Sequence, residues 1–113
     1  MGHRSTTRPV AYVYLLRCGD GSLYCGWTVD VQRRVDRHAR GLGGRYTRSR
    51  LPVALAAAWE TPDARTARRL EARVKRLPRP AKERLVSGEL GLPLDDGDDA
   101  LTARRADGDE RAA

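Results

Sequence analysis

The chain has 113 residues, with 22 Lys and Arg against 15 Asp and Glu and a formal net charge of +7 at pH 7. That length holds one modest hydrophobic core and not two. No apolar run reaches bilayer length and none follows the basic first residues, so neither a membrane anchor nor a secretory signal is expected and the cytoplasm is the expected compartment.

The charge is unevenly spread. Residues 1–88 carry 19 Lys and Arg against 7 Asp and Glu, or +12, and residues 89–113 carry 3 against 8, or −5. So basic a body points to a polyanion, most often nucleic acid, with no membrane partner. An Arg- and Ala-rich composition with only Lys75 and Lys82 as lysines is also what a biased genomic base composition gives. Cys18 and Cys25 are the only cysteines. Two thiols cannot build a structural zinc site alone, and His3 and His38 are poorly placed to complete one, so both are read as reduced.

Residues 1–9 read as a flexible basic arm. Two β-prone runs follow, Val10 to Arg17 and Ser22 to Thr28, around the turn signal Gly19-Asp20-Gly21. A two-residue Asp20-Gly21 loop would pair Leu15 with Gly26 and put Tyr14 and Tyr24 on opposite faces. A three-residue loop with Gly21 in the left-handed conformation would pair Leu16 with Tyr24 and gather Tyr14, Tyr24 and Gly26 on one surface. Cys18 and Cys25 then fall on opposite faces, which argues against a disulfide between them. Thr28 or Asp30 can cap a helix with apolar positions Val31, Val35 and Ala39, ending near Gly41 and carrying Arg34 and His38 four residues apart on one face.

Gly41 to Pro52 reads as a long basic loop. Val53 to Glu60 is apolar and suits a strand buried on both faces, alanines notwithstanding. Thr61 and Pro62 look like the cap and first position of a helix with the stripe Ala67, Leu70, Val74 and Leu77. Beyond Pro78 and Pro80, a short last helix runs through Leu85 and Val86 to Ser87-Gly88. From Glu89 onward the chain is acidic and aperiodic, and reads as a disordered tail with at most a transient helix near Ala100 to Ala106. The expected fold is α/β: one small three-stranded sheet flanked by helices, in the order strand, strand, helix, strand, helix, helix, over residues 10–88.

Tyr12-Val13-Tyr14, Tyr24-Cys25-Gly26, the segment Asp30 to Val35 with Arg34, His38 one turn later and Glu71 within Leu70-Glu71-Ala72 form an ordered set. In that set the chain resembles the GIY-YIG nuclease superfamily, in its small stand-alone bacterial branch, from about Val10 to Gly88. Either tyrosine motif alone would be weak; the series with these separations is fairly specific. The resemblance implies hydrolysis of phosphodiester bonds with one divalent metal, Mg²⁺ or Mn²⁺, and a substrate among structured or damaged DNA in repair or recombination.

It also implies roles. Glu71 would hold the metal, with waters completing its shell. Arg34 would clamp the scissile phosphate, where a planar fork outperforms a lysine. Tyr24 would orient or deprotonate the attacking water, assisted by Tyr14 or His38. A free tyrosine ionises only near about pH 10, so the base needs cationic help, and His38 is its rival. Gly26 would admit a phosphate or a metal-bound water close to the backbone. Arg33, Arg45, Tyr46, Arg48, Arg50 and Lys75 would grip the sugar-phosphate chain, with Tyr46 stacking on a base.

Taken singly, each residue has a plainer reading: the tyrosines as half-buried strand aromatics, Tyr12 above all, Arg34 and His38 as a solvated helix face, and Glu71 as a surface bridge to Lys75 or Arg68. Joint occurrence is what favours function. The chain departs from the pattern at Tyr12, at Cys25 and at Trp27, a position that is lysine in excision-repair relatives. The competing expectation is a nucleic-acid-binding module with a weak or vestigial nuclease site.

Overall fold

The computed structural model describes residues 10–94 and 103–106. The two strands of the hairpin, β1 (Ala11–Arg17) and β2 (Leu23–Thr28), pair antiparallel with Leu16 opposite Tyr24 and Tyr14 opposite Gly26. Of the two possible registers this is the three-residue one. Cys18 N–H donates to the Ser22 carbonyl at 2.9 Å, and Gly21 closes the turn at φ 87°, a left-handed conformation that a side chain would strain.

Helix α1 (Val31–Ala39) starts at Asp30, whose carboxylate accepts from Arg33 N–H at 3.1 Å. Within the expected loop, Arg45–Arg48 forms a one-turn helix, α2. Strand β3 (Ala54–Thr61) pairs antiparallel with β1, with a bulge at Leu15/Leu16, and helix α3 (Ala64–Lys75) follows it. The cap of α3 is Asp63, which accepts from Thr66 N–H at 2.8 Å, and not Thr61: that hydroxyl is the buried end of β3 and donates to the Ala11 carbonyl. Helix α4 (Arg79–Ser87) ends on Gly88 at φ 89°.

The sheet has four strands, in the order β2-β1-β3-β4, not three. The fourth, β4 (Arg104–Arg105), comes from the stretch expected to be structureless and lies antiparallel on β3, Trp59 opposite Arg105. The Arg105 guanidinium lies 5.3 Å from the Trp59 ring centroid and donates to the carbonyls of Leu85 and Val86, while Leu90 and Leu92 pack on the core. The basic arm of residues 1–9 and the acidic run Asp95 to Asp99 lie outside the described residues. None of the described helices is long and apolar enough to cross a membrane.

Side chains alternate across the sheet, so each face has its own cover. One face carries Val13, Leu15, Cys25, Ala57 and Trp59 against Ala67, Leu70 and Val74 of α3 and Leu85 of α4. The other carries Tyr14, Leu16 and Ala58 against Val31 and Val35 of α1, with Tyr24 beside them. Leu70 and Val74 are fully buried, and each stabilises the fold by about 1.5–3 kcal/mol. This division decides which candidate residues can meet.

Candidate active site

Tyr14 is 1% exposed. Its ring crosses the bare Cα of Gly26, where an added Cβ would stand 2.5 Å from the phenol oxygen. The close approach that Gly26 permits is therefore that of Tyr14 and not of a phosphate, which corrects the expectation from sequence.

His38 is also corrected. It is fully buried and not a surface residue. Nε2 is 3.1 Å from the Tyr14 hydroxyl and Nδ1 is 2.7 Å from Thr47 Oγ1. A residue at 43 with any side chain would overlap the His38 ring, so Gly43 lets the loop close over it. With both nitrogens engaged and no exposure, His38 cannot itself take a proton from a solvent water. Burial holds its pKa below the ordinary imidazole value, and the charges of Arg34 and Arg37 push the same way. Burial likewise raises the Tyr14 phenol above its usual value, with Arg34 partly opposing the shift.

Thr47 Oγ1 donates to the Gly44 carbonyl at 3.5 Å, which leaves its lone pair to accept from His38 Nδ1–H. The tautomer that satisfies this network leaves Nε2 as the acceptor of the Tyr14 O–H. Thr47 and Gly43 did not stand out in the sequence; the Gly43-Gly44 pair ahead of the basic segment was the available signal.

Tyr24 is half-buried beside this chain, its ring centroid 5.3 Å from His38 and 5.6 Å from Tyr46, stacked on the latter at 29°. Tyr46 donates to Ser22 Oγ at 2.9 Å, and the Arg50 guanidinium lies 3.8 Å over its ring. The Tyr46 ring thus already has an aromatic and a cationic partner. Arg50 is also engaged, with Nε 3.0 Å from the Asp20 carboxylate. Arg33, Arg45 and Arg48 are exposed.

Glu71 stands apart from the tyrosines. It lies on α3, which covers the opposite face of the sheet, and its carboxylate is 3.3 Å from Lys75 Nζ, so Lys75 is occupied by Glu71. It lines an open cleft of about 790 Å³ with Trp27, Arg65, Arg68 and Arg69. A second cleft of about 230 Å³ is lined by Trp27, Thr28, Val29 and Arg34. Trp27, on edge strand β2, is common to both. Tyr14, Tyr24, Arg34 and His38 thus lie on one side of the sheet and Glu71 on the other, with Trp27 of the β2 edge lining the clefts of both Arg34 and Glu71.

Glu71 is the one carboxylate of its cleft, and no group of three or more His, Cys, Asp or Glu side chains suited to a metal occurs among the described residues. One carboxylate does not build an all-protein cage, and would suffice only for an ion completed by water and substrate oxygens, such as Mg²⁺. Cys18 and Cys25 are free and buried, and the Cys25 thiol is pushed up to about 12 by burial and by the charge of Glu71. Neither is a reactive thiol.

The model of the GIY-YIG catalytic domain matches residues 10–84. The chain is 53% identical over 76 residues to UPF0213 protein BH0048 of Halalkalibacterium halodurans, covering 67% of this chain and 81% of that one. It is 45% identical over 80 residues to a UPF0213 protein of Natronomonas pharaonis, 71% and 94% of the two chains. Among solved structures, the solution NMR structure of UPF0213 protein BH0048 from Bacillus halodurans is 50% identical and covers 73% of this chain and 87% of its own, with a TM-score of 0.47. The matched span takes in both tyrosine motifs, Arg34, His38 and Glu71, and the chain belongs to the GIY-YIG catalytic domain family.

Proposed function

We propose that the protein is a metal-dependent endonuclease that hydrolyses phosphodiester bonds of DNA in the cytoplasm, with structured or damaged DNA as its substrate class. The observation that carries this reading is the convergence of Tyr24 and Arg34 on a buried chain. Thr47 and His38 hold Tyr14 in place, Tyr24 lies against His38, and Arg34, one turn before His38 on α1, lines a cleft beside them. A planar cation lining a cleft beside that group is suited to a phosphate.

Tyr24, half-exposed beside that group, is the tyrosine that can touch a substrate water. It orients the attacking water and, once its own phenolic proton has passed to solvent, its phenolate takes the proton of that water, while Arg34 stabilises the charge that builds on the phosphate oxygens. Tyr14 and His38 act through Arg34 and Tyr24 as positioning residues. Glu71 would hold Mg²⁺ or Mn²⁺, and such an ion supplies charge stabilisation to a phosphodiester under attack. Replacing Arg34 by Lys tests this reading: DNA cleavage should fall by about 10²-fold or more with the fold intact. Cleavage at wild-type rate would remove Arg34 from the site.

One observation favours a second reading, a nucleic-acid-binding module with weak hydrolysis: Glu71 is ion-paired to Lys75 on the far face of the sheet from Tyr14 and Tyr24. Binding undiminished in Glu71→Ala, with no cleavage by wild type, would select it.

A further inference from the structure

Trp27 is a large half-buried aromatic on an edge strand, and it lines both the arginine-rich cleft of Glu71 and the cleft of Arg34. Arg65, Arg68 and Arg69 stand at helical spacing along the wall of α3 that faces it, while Ala67, Leu70 and Val74 turn into the core. A chain whose phosphate lies at Arg34 and which continues to Glu71 has to cross the β2 edge at Trp27. The larger cleft, at about 790 Å³, falls within the roughly 300–1,000 Å³ of small-ligand pockets. An aromatic floor between guanidinium groups is chemistry for a nucleobase with its flanking phosphates. It is not chemistry for an intact duplex, where both faces of every base are already covered by stacking neighbours.

We infer that the cleft between Trp27 and α3 takes one unpaired nucleobase of the substrate, stacked on the indole, with the adjacent phosphates held by Arg65 and Arg68. The inference rests on the proposed nuclease reading and deepens it. The preferred substrate carries unstacked nucleotides beside the cut bond, as in flaps, gaps and single strands, and continuous duplex is disfavoured. The Tyr46 ring already contacts Tyr24 and Arg50, whereas no aromatic or cationic partner of the Trp27 ring is found among the described residues.

The test uses the full chain in chelator, so that nothing is cut. The probes are a fluorescein-labelled single-stranded DNA 10-mer and a blunt hairpin duplex, followed by anisotropy for binding and by tryptophan emission for stacking. Trp59 is 6% exposed beneath Arg105, so a change in emission reports Trp27. Binding of the single strand is expected to quench emission, Trp27→Leu to weaken it by about tenfold with little change for the duplex, and Trp27→Phe to restore most of the loss. Single-strand binding without quenching, and with wild-type affinity in Trp27→Leu, overturns the stacking site while leaving the nucleic-acid reading standing. Absence of binding to either probe overturns both.

Discussion

The Tyr14 hydroxyl and His38 Nε2 are 3.1 Å apart in a buried hydrogen bond that spans 24 residues of sequence and ties β1 to α1. Both side chains are almost wholly out of solvent, so the bond fixes Tyr14 against α1, the helix that carries Arg34. Truncation at His38 would remove the partner of the Tyr14 O–H and one of the two partners of Thr47 Oγ1, and leave a cavity between them. His38→Ala should destabilise the protein by about 2–4 kcal/mol in urea unfolding. A wild-type midpoint would mean that the bond holds nothing in place.

The same burial sets a pH dependence. His38 has a folded-state pKa below its unfolded value, through burial first and then the charges of Arg34 and Arg37. Its contribution to stability is therefore complete above the unfolded value near 6.5 and is lost as pH falls from there through the folded pKa. Imidazolium also cannot accept at Nε2, so activity should fall on the same acid limb. His38→Gln, compared with wild type between about pH 7 and pH 5, should lose this part of the slope; an unchanged slope would assign it to other groups.

Gly26 has no room for a methyl group, because Tyr14 lies where it would go. Gly26→Ala should cost about 1–3 kcal/mol through overpacking and should reduce activity further by displacing Tyr14. Near-native stability and activity together would show that the tyrosine has another place to lie.

Much of this was legible in the sequence. Gly21, two residues after Gly19, made the three-residue turn one of two possible registers, and with it came the juxtaposition of Tyr14 with Gly26. The cap at Asp30 and the stripe Ala67, Leu70 and Val74 follow from local rules. The burial of His38 did not. Periodicity put it with Arg34 on a helix face, but what covers it is Thr47 and the bare Gly43, brought over by a loop whose path no local rule predicts. The fourth strand was illegible for a different reason. Two residues, Arg104 and Arg105, are too few to show alternation, and arginine as a strand partner of Trp59 is a tertiary choice.

The basic residues divide into two kinds. Arg50 bridges to Asp20 and covers Tyr46, so Arg50→Ala should loosen the turn and lower stability by about 1 kcal/mol. Arg33, Arg45 and Arg48 are exposed, and replacing all three should leave stability alone while making the fall of log affinity with log salt shallower, by about one for each arginine that meets a phosphate. An unchanged slope would place DNA elsewhere on the surface.

The most direct measurement is cleavage of nicked, branched, single-stranded and duplex DNA by wild type and Glu71→Ala, with Mg²⁺ and then with chelator. Wild type is expected to cut substrates with unpaired nucleotides, and both the substitution and the chelator to abolish cutting while binding persists. Cleavage that survives in Glu71→Ala or in chelator would contradict a metal-dependent site at the β2 edge, and wild type that binds every substrate and cuts none would contradict the enzyme altogether.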